Sequence, residues 1–130
     1  MLTLESDPAG AEVLLEQDGR VLTTGLVTPT TYASVAVPVL IVTGDQDLVP
    51  GFVSDAKDHL YPVETAPAGD KIALVLTGGG HNLIGSDTDA SYTRARDVGT
   101  AFLQAEALGS DAAAKELTAE DSDAERWIRR

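Results

Sequence analysis

Two apolar runs in the middle of the chain restrict its fold more than any other feature. Val39-Leu40-Ile41-Val42-Thr43 follows Pro38, and Ile72-Ala73-Leu74-Val75-Leu76 follows thirty-odd residues later. Both are rich in β-branched residues and show no alternating polar face, the pattern of a central strand covered on both sides. The segment between them carries helical material from Ser54 to Tyr61. Strand, helix, strand in that order predicts a β-α-β unit in a parallel sheet.

The flanks fill in the rest of an α/β fold. Residues 1–36 read as short strand-like pieces, Met1 to Glu5, Ala11 to Leu15 and Arg20 to Thr24. Asp18-Gly19 between two of them is a hairpin signal, and Thr28-Pro29-Thr30-Thr31 reads as an extended link. Beyond Ser91, the residues Tyr92, Ala95, Val98, Phe102, Ala105 and Leu108 recur at helical spacing, so one stripe of a long helix should face the sheet. Gly109 suits its left-handed end. Ser110-Asp111 should cap a short helix through Leu117, and Ser122 with Glu125 fits a capping box for a third helix that carries Arg126, Arg129 and Arg130 on a solvated face. The expected layout is thus a β-rich segment over 1–36 and an α/β portion over 37–130.

With 130 residues, 43% of them hydrophobic, the chain holds enough material for one modest core. A formal net charge of −12 argues against nucleic acid or an anionic membrane as partner, since both require clustered Lys and Arg. The absence of cysteine excludes disulfides, thiolate catalysis and Cys-ligated metal. The first twenty residues are acidic, with neither a basic start nor a long apolar stretch, so the chain as written is expected in the cytoplasm.

Each apolar run leads through glycine to a residue with chemistry. The first continues as Gly44-Asp45-Gln46-Asp47 and the second as Thr77-Gly78-Gly79-Gly80-His81, which places Asp47 and His81 34 residues apart. Functional groups of parallel sheets gather on the loops past the carboxyl ends of strands. A carboxylate there can hold an imidazole in one tautomer, and His81 could take and return a proton. Asp45, directly after Gly44, is the rival acid, although capping the turn suits it better. His59 has acidic neighbours and the chemistry of a metal ligand, but reads as part of a solvated helix face. Gly78-Gly79-Gly80 lacks the Gly-Lys-Ser/Thr ending of a phosphate loop. Close backbone approach that lets His81 reach inward suits it better.

These residues resemble the carboxyl-terminal part of the α/β-hydrolase superfamily, near its dienelactone-hydrolase and platelet-activating-factor-acetylhydrolase-like esterases. The likeness runs from about Val37 to Leu117, through Pro38 to Asp47, Pro67-Ala68-Gly69-Asp70-Lys71, Gly78-Gly79-Gly80-His81 and Gly109-Ser110-Asp111-Ala112-Ala113-Ala114. It implies a partial hydrolase fold, a few parallel strands flanked by helices, with Asp47 as catalytic acid and His81 as catalytic base. It implies carboxylic-ester or lactone hydrolysis without cofactor or metal.

The family's third member, a serine in a Gly-x-Ser-x-Gly elbow, has no match here. Ser6, Ser34, Ser54, Ser86, Ser91, Ser110 and Ser122 all lack the flanking glycines. The resemblance therefore implies a carboxyl-terminal portion, inactive alone, with Met1 to Leu4 as the strand after the elbow helix and Asp7 to Val35 as an insertion. Its first strand would lack neighbours, inviting a second copy or a partner chain to cover the edge. The substrate would be a small ester, accepted once the missing half is supplied. An alternative reading takes Ser6-Asp7-Pro8-Ala9-Gly10-Ala11-Glu12-Val13, with Gly25 and Thr28-Pro29, as a PEGA-like β-segment of a non-catalytic interaction module.

Overall fold

The computed structural model describes residues 30–83 and 90–130 and, before them, the backbone of three strands. Those strands are β1 (Leu2–Ser6), β2 (Val13–Gln17) and β3 (Arg20–Thr23). They pair antiparallel in the order β1-β2-β3, a sheet of their own. Gln17 faces Arg20, the register of a two-residue hairpin, while the Asp18-Gly19 turn itself lies outside the described residues. Met1 also lies outside them, and Leu2 to Leu4 do not extend the sheet that bears Asp47, contrary to the expectation for a strand following an elbow helix. Thr30 to Ser34 form turns, closed by Ala33 N–H to the Thr30 carbonyl at 3.1 Å, in place of the expected extended link. Thr28 and Pro29 are outside the described residues.

The second sheet has the order β4-β5-β6, formed by Val39–Gln46, Lys71–Gly80 and Glu125–Arg129. β4 and β5 run parallel, with Val39 beside Lys71 and Thr43 beside Val75. β6 returns antiparallel on the other side of β5. The architecture is therefore mixed α/β, and β5 occupies the middle of the described sheet. β4 had the sequence of a central strand, yet among the described strands it has one neighbour, and its first four residues are half-buried.

Side-chain alternation along β5 sorts the core into two layers. Leu74 and Leu76 point to one face, where they meet Val98 and Ala101 of α2 (Ala90–Leu108) and Ala113 of α3 (Asp111–Glu116). Ala73 and Val75 point to the other, against Leu60 and Val63. Leu60 ends a 3-10 turn (Ala56–Leu60) and Val63 lies in α1 (Tyr61–Thr65). β4 divides likewise, Leu40 and Val42 to the first layer, Val39 and Ile41 to the second. The predicted α2 stripe holds at Val98, Phe102 and Ala105 but fails at Leu108, which is 78% exposed at the helix end. Gly109 closes the helix at φ +65° and Ser110 caps α3 by accepting from Ala113 N–H.

The carboxyl end departs from expectation. The Ser122/Glu125 pattern is no capping box: Ser122 Oγ accepts from Ala124 N–H and its own N–H donates to the Glu125 carbonyl, a turn that feeds β6. The strand wins because it buries Trp127 on the α2/α3 layer while Ile128 packs on the α1 layer, an alternation no helix could supply. The arginines follow suit. Arg129 donates to the Leu117 and Ala119 carbonyls past the end of α3, and Arg130 to those of Val63 and Glu64 at the end of α1. Two helix carboxyl termini, otherwise rich in unpartnered carbonyls, are closed by the last cation of β6 and the arginine that follows it. Among the described residues no helix is long and apolar enough to cross a membrane.

Candidate functional site

Beyond Gly44 the chain must leave the sheet without moving away from β5, and close packing of two glycines allows it. A Cβ on Gly44 would stand 1.8 Å from the Gly79 carbonyl oxygen, so the two backbones touch where side chains would separate them. The pairing slips at this point, Gly44 opposite Leu76 but Gln46 opposite Gly80, and Gly78 adopts φ +74°. Asp45 accepts from Gly78 N–H at 2.7 Å. Its carboxylate thus holds the β5 bend, the turn-capping role rather than the acid's.

Asp47 is buried, and its two oxygens are differently engaged. Oδ2 accepts from the Thr43 hydroxyl at 2.8 Å, and Oδ1 lies 2.8 Å from His81 Nδ1. A carboxylate only accepts, so Nδ1 donates to Asp47, and Nε2 is the nitrogen left for proton transfer. The His81 side chain is 58% exposed, whereas that of Asp47 is 9% exposed. The sheet thus presents an exposed imidazole on a sheltered carboxylate.

Sequence reasoning weighed His59 as a metal ligand but placed it on a solvated helix face. It is no solvated residue: its side chain is 24% exposed, and Nε2 lies 3.1 Å from both the Asp47 carbonyl oxygen and Oδ1. Both partners accept, which makes Nε2–H a shared donor. The two rings lie 6.2 Å apart and 24° from parallel. His59 arrives through the Val49-Pro50-Gly51-Phe52 turn, closed by Phe52 N–H to the Val49 carbonyl at 2.9 Å with Gly51 at φ +83°. Pro then Gly at the central positions is the sequence of such a turn. Asp55 then caps the 3-10 turn through Lys57 N–H, and His59 is carried back over the acid loop. The Pro50-Gly51 pair was the signal for the chain reversal that brings it there. Thr43, 2% exposed, was missed, being read only as a strand residue.

A cavity of about 270 Å³ adjoins the acid loop. Thr43, Gly44, Asp45 and Leu48 line it together with Ser54 to Lys57, Leu60, Val75 and Arg126. Asp47, His59 and His81 do not. Among the serines, Ser110 and Ser122 serve as backbone caps and Ser54 borders this cavity.

Comparison of the chain with family models, curated proteins and solved structures yields no match.

Proposed function

We propose that this chain contributes the acid and the base of an α/β-hydrolase-type serine esterase, with the nucleophilic serine supplied from outside these 130 residues. The supporting observation is the 2.8 Å bond between Asp47 and His81, each just past the carboxyl end of one of two adjoining parallel strands. His81 Nε2 takes the proton of the serine hydroxyl as the oxygen attacks the ester carbonyl, and Asp47 stabilises the imidazolium. The proton passes to the departing alcohol when the tetrahedral intermediate collapses, leaving an acyl-enzyme. Water, activated by the same nitrogen, then releases the acid. No cofactor takes part. The substrate class is a carboxylic ester or lactone.

The test is hydrolysis of p-nitrophenyl acetate by the chain alone and by the chain extended with the coding sequence in frame upstream. The extended protein should carry a Gly-x-Ser-x-Gly segment and cleave the ester, and His81→Ala should abolish the activity. Asp47→Asn should lower kcat by roughly 10⁴, the effect of a wrong tautomer. Equal rates in parent and His81→Ala would overturn the reading.

A second reading, a non-catalytic interaction module with a PEGA-like amino-terminal segment, draws support from the separate antiparallel sheet of β1, β2 and β3. The two readings part at His81, which a module would not need for binding.

A further inference from the structure

We propose that Asp47, His59 and His81 form a binding site for a divalent transition metal, with Zn²⁺ the best fit. Asp47 Oδ1 stands 2.8 Å from His81 Nδ1 and 3.1 Å from His59 Nε2, and one ligand atom from each residue falls within 4.8 Å of the others. Donors bound 2.0–2.1 Å from a tetrahedral zinc lie about 3.3 Å apart. The two carboxylate-to-imidazole spacings are therefore within about half an ångström of coordination geometry. Any remaining closure is between the imidazoles. His81, exposed on the turn after β5, is the ligand placed to make it.

The surroundings favour coordination. Thr43 holds Asp47 Oδ2, so Oδ1 is the oxygen offered to both rings, the kind of outer support that fixes a metal-binding carboxylate. Two imidazoles and one carboxylate, with water in the fourth position, make an open zinc site. The ion would take the place of the protons that now lie between Oδ1 and the rings: each neutral ring switches tautomer, His81 binding through Nδ1 with its proton moved to Nε2 and His59 binding through Nε2 with its proton moved to Nδ1. Metal binding and the acid–base pair consequently exclude one another, and zinc would switch the pair off. Ester chemistry is not needed for the site: His59, which has no task in hydrolysis, is indispensable to the metal.

The chain's 2 histidines and lack of cysteine make the site unusually easy to test. Any imidazole bound to zinc must come from His59 or His81. The untagged full chain is titrated with Zn²⁺ by calorimetry, and the zinc K-edge absorption spectrum of the loaded protein is recorded. One equivalent bound, with two imidazole nitrogens in the first coordination sphere, is the expected result. His59→Gln, which keeps an N–H for the Asp47 carbonyl, should bind at least about tenfold more weakly, while the surface change Glu120→Gln should leave binding intact. An all-oxygen coordination sphere would overturn the site. So would parental affinity in a folded His59→Gln, and should that variant not fold, the absorption spectrum of the parent decides.

Discussion

Thr43 and Gly44 sit side by side, and each makes Asp47 possible in a different way. Thr43→Val keeps the shape but removes the donor to a buried carboxylate oxygen; the loss should be about 1.5–3 kcal/mol in urea unfolding. Gly44→Ala must push its Cβ into the Gly79 backbone, and should cost about 1–3 kcal/mol or more. Gly99 offers the contrast. It lies inside α2, where an added Cβ meets nothing within 4 Å, so Gly99→Ala should raise stability by about 1 kcal/mol. If Gly44→Ala leaves the urea midpoint unchanged or raises it, the close approach at Gly44 is wrong. Asp47 and His81 could be found in the sequence because each ends a run with a strong local pattern. His59 and Thr43 could not, since their roles depend on a chain reversal and a bend that bring together residues with no shared periodicity.

Among the elements, β6 reaches both layers, with Trp127 on one and Ile128 on the other. Trp127 is buried with the Arg94 guanidinium 5.8 Å and the Arg129 guanidinium 4.8 Å from its ring. Trp127→Ala should cost about 3–5 kcal/mol. Glu125 pairs with Arg94 through two 2.7 Å bonds that join β6 to α2. The Arg94 guanidinium holds the Glu125 carboxyl below its usual pKa. A lowered folded-state pKa contributes stability above the unfolded value, and that stability is lost as pH falls through the folded one. Glu125→Gln should therefore lower Tm near neutral pH, and the gap from the parent should close as the medium becomes acid enough to protonate Glu125. A gap constant down to pH 3 would contradict the pairing. β6 was hidden from sequence reading because Glu125, Arg126 and Arg129 are charged in a strand of 5 residues, and a serine three positions before a glutamate imitates a helix start. Only pairing with β5, some fifty residues earlier, decides for strand.

For the molecule as a whole, the parallel pair β4 and β5 was readable and the strand order was not. Apolar runs reveal that strands are buried but not which one lies at a margin. β4, whose composition suits a middle position, has β5 as its neighbour on one side. Val37, Leu48 and Phe52 are 64%, 48% and 61% exposed near its two ends. Such apolar surface beside a strand margin favours association, whereas a net charge of −12 opposes it. Salt should therefore shift the balance: sedimentation equilibrium is expected to show more self-association at 1 M NaCl, where the Debye length is about 3 Å, than at 0.1 M, where it is about 10 Å. Phe52→Lys should weaken the effect. Salt-independent sedimentation would mean that these residues do not mediate contacts between copies.

Trp127 is the chain's single tryptophan, and its indole N–H lies 3.2 Å from the Glu125 carboxylate in a buried setting. The tryptophan emission of this protein is therefore a local signal, issued from the seam between β6, α2 and the core. Its emission should move to the red when that seam opens, even while β4 and β5 stay paired. Followed beside far-ultraviolet dichroism, the one indole would time the departure of the last strand separately from the melting of the helices.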